Sequence, residues 1–140
     1  MAVIERLDFL GVPSKHPARA RAFYRDVLGM RPDAHAEWEQ WAGDTCFGIW
    51  EPEKMGMPFV AQKGNPWPLR CDDVAEMRAA LEAKGVQFSG DTLDTGVCHM
   101  AFFADPDGNE LWRSRFGSLA TCRRQTLGLP ALHGTGEASY

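Results

Sequence analysis

Along this chain the spacing of apolar residues switches from a strand-like period to a helical one and back again, and it does so twice. VIERLDFLGV (3–12) places Leu7, Phe9 and Gly11 on one side of a strand and Leu10 and Val12 on the other. A helix is expected from Pro17, because proline suits the first helical position where its missing N–H costs nothing. Ala20, Phe23, Tyr24 and Val27 then recur on one helical face, and Gly29 supplies the stop. The second half repeats the plan. WPLRC (67–71) reads as a strand, Asp73 and Glu76 form a D-x-x-E helix start, Val74, Met77 and Leu81 make a buried stripe, and Gly85 ends it. The two stop glycines lie 56 residues apart. Strand-like segments follow each helix, at 44–50 and 58–61 in the first half and at 86–89, 98–104 and 109–115 in the second. A strand–helix–strands unit used twice cannot bury its own apolar face, so the halves should pack together.

Composition bounds the function classes. With 140 residues, 44% hydrophobic and 24% charged, the chain suits one ordinary globular domain. A net charge of −4 argues against nucleic acid and anionic membrane as partners, since both call for a basic surface. No apolar run approaches the roughly 20 residues of a membrane span, and the charges in MAVIERLDFLGV do not fit a signal peptide. Cys46, Cys71, Cys98 and Cys122 stand 24 to 27 residues apart without a CxxC pair, a spacing that suits reduced thiols and a cytoplasmic location better than a zinc site.

The densest cluster of acids, DPDGN (105–109), invites a metal reading. Calcium loops of the D-x-D-x-D-G kind need a different spacing and a later glutamate. Proline in second place and glycine in fourth instead describe a turn, with Asp105 holding the backbone two residues on. The acids of this stretch are read as structural.

HPARARAFYRDVLGM (16–30), RCDDVAEMRAALEAKGV (70–86) and MAFFADPDGNEL (100–111) together resemble the vicinal-oxygen-chelate superfamily, which includes glyoxalase I, fosfomycin-resistance enzymes, extradiol dioxygenases and bleomycin-resistance binding proteins. The resemblance runs over residues 3–116. It implies an α+β fold of two βαβββ modules, about 1–62 and 63–116, forming a curled mixed sheet around a cavity, and a homodimer. The segment 117–140 is expected as a C-terminal extension docked on the partner subunit through Leu127, Leu129 and Leu132.

The resemblance also assigns the family's metal-ligand positions. Its first-strand histidine falls on Phe9, its second-module histidine on Pro66, and its last-strand glutamate on Trp112. The remaining ligand belongs in CFGIWEP (46–52), where Glu51 is the one candidate. Phe, Pro and Trp offer no side-chain donor to a divalent cation, and one carboxylate does not hold such an ion with a position open for substrate. The expectation is therefore no metal, no cofactor and no catalytic residue.

Five tryptophans among 140 residues supply the alternative chemistry. Trp38 and Trp41 in AEWEQWAG, Phe47 and Trp50 in CFGIW, and Trp112 with Phe9 are expected to line a cleft for a flat, apolar or cationic molecule. Arg70, on the same side of its strand as Pro66 and Pro68, is a candidate for an anionic or carbonyl group, and His99 in VCHMAFF is the one imaginably placed imidazole. Trp67 is read as core. The leading function is a metal-independent small-molecule-binding protein of the bleomycin-resistance type, acting by drug sequestration. The alternative is a lyase, isomerase or dioxygenase of the same superfamily with an unusual metal set drawn from Asp8, Glu51, His99 and Glu110. A subunit without a ligand of its own is the third reading.

Overall fold

The computed structural model describes residues 3–116, so the expected docking of 117–140 through Leu127, Leu129 and Leu132 lies outside the described residues. Two four-stranded sheets share one topology. The first has β1 (Leu10–Pro13), β2 (Arg31–Pro32), β3 (Glu39–Ala42) and β4 (Thr45–Trp50), ordered β1-β4-β3-β2. The second has β5 (Trp67–Arg70), β6 (Leu93–Asp94), β7 (Cys98–Ala104) and β8 (Glu110–Phe116), ordered β5-β8-β7-β6. In each, the first and last strands run parallel and the others pair antiparallel. A parallel pair needs a crossover, and helices α1 (Pro17–Ala22) and α2 (Val74–Ala83) begin those crossovers. This is the βαβββ unit used twice. It is the expected α+β arrangement of two βαβββ modules, and its two mixed sheets are not closed.

Local chemistry sets the helix ends. Pro17 opens α1, and the helix widens into a π-helical turn over Phe23–Val27, where the Leu28 N–H donates to the Phe23 carbonyl. The Asp73 carboxylate accepts from the Glu76 N–H at 2.9 Å at the start of α2. Gly29 and Gly85 take φ of +74° and +87° just past the two helices, the left-handed conformation that a side chain would oppose.

The strand expected over 3–12 shortens to Leu10–Pro13. β1 pairs with β4 in the register Leu10 to Phe47, and β4 starts at Thr45, so the residues before Leu10 soon run out of partner. Val3, Ile4, Leu7 and Phe9 are exposed. Residues 58–61 form no strand, and 86–89 contribute one bridge, Phe88 to Phe103.

One apolar core serves both modules. Val12, Ala20, Tyr24, Phe47 and Ile49 from the first pack with Leu69, Leu81, Phe103 and Leu111 from the second. Full burial of such a side chain contributes about 1.5–3 kcal/mol. Trp67 packs edge-on against Phe47, with ring centroids 6.1 Å apart.

A polar cluster crosses the same interface. Asp105, at the start of the DPDGN turn, is 5% exposed, and its carboxylate accepts four hydrogen bonds. Oδ1 takes the N–H groups of Asp107 and Asn109, each at 2.9 Å. Oδ2 takes the Tyr24 hydroxyl at 2.8 Å and the Asn109 Nδ2 at 2.7 Å. Asn109 also donates to the Pro13 carbonyl, and Ser14 Oγ donates to Asp107 at 2.6 Å. Burial pushes the Asp105 carboxyl above its ordinary range while hydrogen bonds from Asn109, Tyr24 and the turn backbone oppose that rise. Burial, then the Asp105 charge, raises the Tyr24 phenol well above its usual value, so it stays a proton donor. The acids are structural, and they do more than close a hairpin: they tie the second module to the first.

Removing one donor to a buried carboxylate leaves it under-bonded. Tyr24→Phe should lower unfolding free energy by about 1–2 kcal/mol, and Asn109→Ala, which breaks bonds on both modules, by about 2–4 kcal/mol. Urea unfolding with unchanged m-values checks both.

Candidate functional site

Strand alternation gives each sheet a face toward the shared core and a face away from it. On the first sheet, Leu10, Val12, Phe47 and Ile49 belong to the core side. The outer side takes Gly11, Cys46, Gly48 and Trp50, and the register of β3 on β4 adds Glu39 and Trp41. Gly11 and Gly48 are neighbours across β1 and β4, and the space that their missing side chains leave is roofed by rings. A Cβ on Gly48 would come within 3.0 Å of the Phe9 ring, and one on Gly11 within 3.4 Å of Trp50 Nε1. Trp41 is held by a hydrogen bond from its Nε1 to Asp33 at 3.0 Å, with the Arg31 guanidinium 5.8 Å from its ring. Backbone N–H groups of His35 and Ala36, with Trp41, hold the Asp33 carboxyl below its usual range. Cys46 lies beneath these groups, and burial, with Glu39 nearby, pushes its thiol up, away from the reactive thiolate.

On the second sheet, Trp112 pairs with Pro68 on one side and Phe102 on the other, and Ser114 pairs with Arg70 and Met100. These residues form the outer face. Trp112 stacks on Phe102 with centroids 5.8 Å apart and an interplanar angle of 15°. Beside them, Pro66, Phe102, Glu110 and Lys63 line a cleft of about 270 Å³.

The structure therefore gathers Phe9, Trp41 and Trp50 on one outer face and Arg70 and Trp112 on the other. Three other candidates lie elsewhere. Phe47 is 2% exposed on the core side of β4, because it stands one residue from the outward Gly48. Trp38 lies in the turn before β3, 57% exposed, with its carbonyl accepting from the Ile49 N–H, so it does not share the strand face of Trp41. His99 pairs with Arg115 on the side of Ala101, away from Trp112, and its Nε2 lies 3.2 Å from Asp94. Among the described residues, none of the clefts at the sheets and their seam is lined by both Phe9 and Trp112. Both sheets press their inner sides into the same core, so their aromatic sides turn away from it.

The family's metal positions can be tested on the same geometry. Phe9 and Trp112 occupy outer faces and Pro66 lines the cleft, but none carries a donor. Glu51 is paired with Lys54 at 2.8 Å, Asp8 lies near Arg6 at 3.8 Å, and Glu110 accepts the Gly64 N–H at 2.7 Å. Among the described residues, no group of three or more His, Cys, Asp or Glu side chains is placed to hold a metal ion. The residues present do not fit the family's metal.

Sequence reasoning missed Phe102 and the glycine pair, both of which depend on strand register. It also passed over Arg113, which alternation places on the core side next to Trp112.

No family model matches the chain, and no curated protein matches it. Solved structures do. An antibiotic-binding protein, TnmS3, from Streptomyces sp. CB03234 is 25% identical over 84% of this chain and 100% of its own, with a TM-score of 0.65. A glyoxalase/bleomycin resistance protein from the same organism is 29% identical over 75% of this chain and 96% of its own, at 0.59. Lactoylglutathione lyase from Agrobacterium tumefaciens, 18% identical over 79% of this chain and 93% of its own at 0.62, shares the fold. With the FYRDVLG and DPDGN motifs on the matching βαβββ modules, these neighbours place the chain in the vicinal-oxygen-chelate superfamily.

Proposed function

We propose that this protein binds a planar, apolar or cationic small molecule on its aromatic outer faces, without a metal, and acts by sequestering it. The observation that carries the reading is the stacked Trp112–Phe102 pair where the family places its last metal ligand. A flat ligand laid against such a ring gains about 0.5–1.5 kcal/mol beyond its buried area, and a cation over it a similar amount. The likeness to an antibiotic-binding protein and to a glyoxalase/bleomycin resistance protein supports the same class.

An open sheet face encloses little of a ligand, whereas drug-sized molecules are held in sites that bury most of their surface. A second copy supplies the missing wall in this proposal. The outer face carrying Phe9, Trp41 and Trp50 in one chain would meet the face carrying Phe102 and Trp112 in the other. Exposed Phe9, Leu7 and Ile4 are the apolar area such a homodimer covers.

Tryptophan fluorescence titration against a panel of planar antibiotics tests binding. Saturable quenching is expected, unchanged by a chelator; no quenching by any member counts against the proposal. Stoichiometric nickel, zinc, iron or manganese in protein purified without chelator, with binding lost on its removal, would favour the metal-dependent lyase, isomerase or dioxygenase instead. Light scattering should give twice the mass of one chain.

Substitutions separate the site from the core. Trp112→Ala should raise the dissociation constant about 5- to 30-fold, equivalent to about 1–2 kcal/mol, with stability little changed. Trp67→Ala should do the reverse, lowering stability while affinity is retained. Gly48→Ala should displace the exposed Phe9 ring and weaken binding without unfolding the protein, because the atom it meets belongs to a movable side chain.

A further inference from the structure

At the seam between the two sheets, Trp41, Gly43 and Leu28 from the first module and Arg70 and Arg113 from the second line a cleft of about 370 Å³. Its floor is electrostatically incomplete. Arg113 is half-buried on the core side of β8, and its guanidinium makes two long hydrogen bonds, each 3.4 Å, to the carbonyls of Arg70 and Leu28. Its Nε is buried with no hydrogen-bond partner among the described residues. Among those residues, neither Arg113 nor Arg70 has a carboxylate within 4 Å, although six other Arg or Lys side chains do. Cys71, the thiol beside Arg113, is no counter-charge, because burial raises its pKa and keeps it protonated. Burial likewise pulls Arg113 down from its ordinary value, the signature of a cation that has lost water without gaining an anion.

A guanidinium in this state is costly to bury and favours any anion brought to it. It also selects the anion's shape, since its planar fork matches a carboxylate. Trp41 adds a flat apolar wall on one side of the same cleft. We infer that the seam cleft is a second binding site, in which Arg113 and Arg70 hold the carboxylate of a small aromatic acid whose ring lies along Trp41. This site borrows Trp41 and Arg70 from the edges of the two outer faces but includes neither Trp112 nor Phe102, and it takes ligands of opposite charge from those a cation–π surface attracts.

Calorimetric titration of the full-length protein with 2-naphthoate, against the neutral 2-naphthamide, tests the inference. Saturable naphthoate binding at least tenfold tighter than naphthamide binding is expected. Arg113→Met should weaken naphthoate at least tenfold, and Arg113→Lys, which keeps the charge but loses the fork, by less. Since Arg113→Met can disturb packing, Arg70→Met on the exposed side of the cleft gives an independent reading and should also weaken naphthoate. Trp112→Ala should leave naphthoate affinity unchanged while it weakens planar antibiotics. Naphthoate binding that is absent, equal to that of the amide, indifferent to both arginine substitutions, or lost in Trp112→Ala would overturn the second site. Failure of the antibiotic titration with naphthoate binding intact would instead overturn the outer-face reading alone.

Discussion

The arrangement depends on a buried carboxylate. Asp105 is almost fully removed from water, and a charge there is tolerated only with its hydrogen-bonding positions filled. The donors come from three places: the turn itself, Asn109, and Tyr24 on the first module's π-helical turn. Sliding one module against the other would withdraw the Tyr24 hydroxyl and the Asn109–Pro13 bond together. Hydrophobic burial brings the modules together without direction. The Asp105 cluster gives that contact a register, because short hydrogen bonds fail over displacements that a greasy interface absorbs. Once the inner faces are fixed in this way, the outer faces follow, and with them the placement of Phe9, Trp50 and Trp112.

Much of this was legible in the sequence, where the physics is local. Pro17, Asp73, Gly29 and Gly85 mark helix ends through backbone chemistry that needs no tertiary partner. The turn chemistry of DPDGN was equally readable. The long strands β7 and β8 followed from their composition, while β2 and β6, two residues each, owe their existence to neighbouring strands and left no pattern of their own. The inward Phe47 was not legible, since apolar content alone does not say which side of a strand meets the core. Trp38 and Trp41 show the error in its simplest form. Their spacing looks like a shared surface only if a helix is assumed, whereas Trp41 stands in β3 and Trp38 in the turn before it. Arg113 went unnoticed because nothing in its sequence neighbourhood reveals that the fold would bring no carboxylate of the described residues within 4 Å of it.

Asp105 and Arg113 are treated unequally by the fold, and the contrast is informative. Asp105 receives four hydrogen bonds of ordinary length from residues that the fold positions for it. Arg113 donates two long hydrogen bonds to neutral carbonyls, keeps an Nε without a partner among the described residues, and borders a cleft. An apolar side chain of similar length at 113 would avoid the desolvation cost and lose little, as replacement of buried ion pairs by well-packed apolar residues shows in general. Stability therefore explains the aspartate and leaves the arginine unexplained. A cation kept short of partners beside a cleft has its electrostatic capacity unspent inside the fold, and a ligand that brings a carboxylate would supply the interaction that the chain itself withholds. That is the physical ground for separating the seam from the aromatic faces: one is organised around rings with no charge to neutralise, the other around a charge with no ring of its own except the borrowed edge of Trp41.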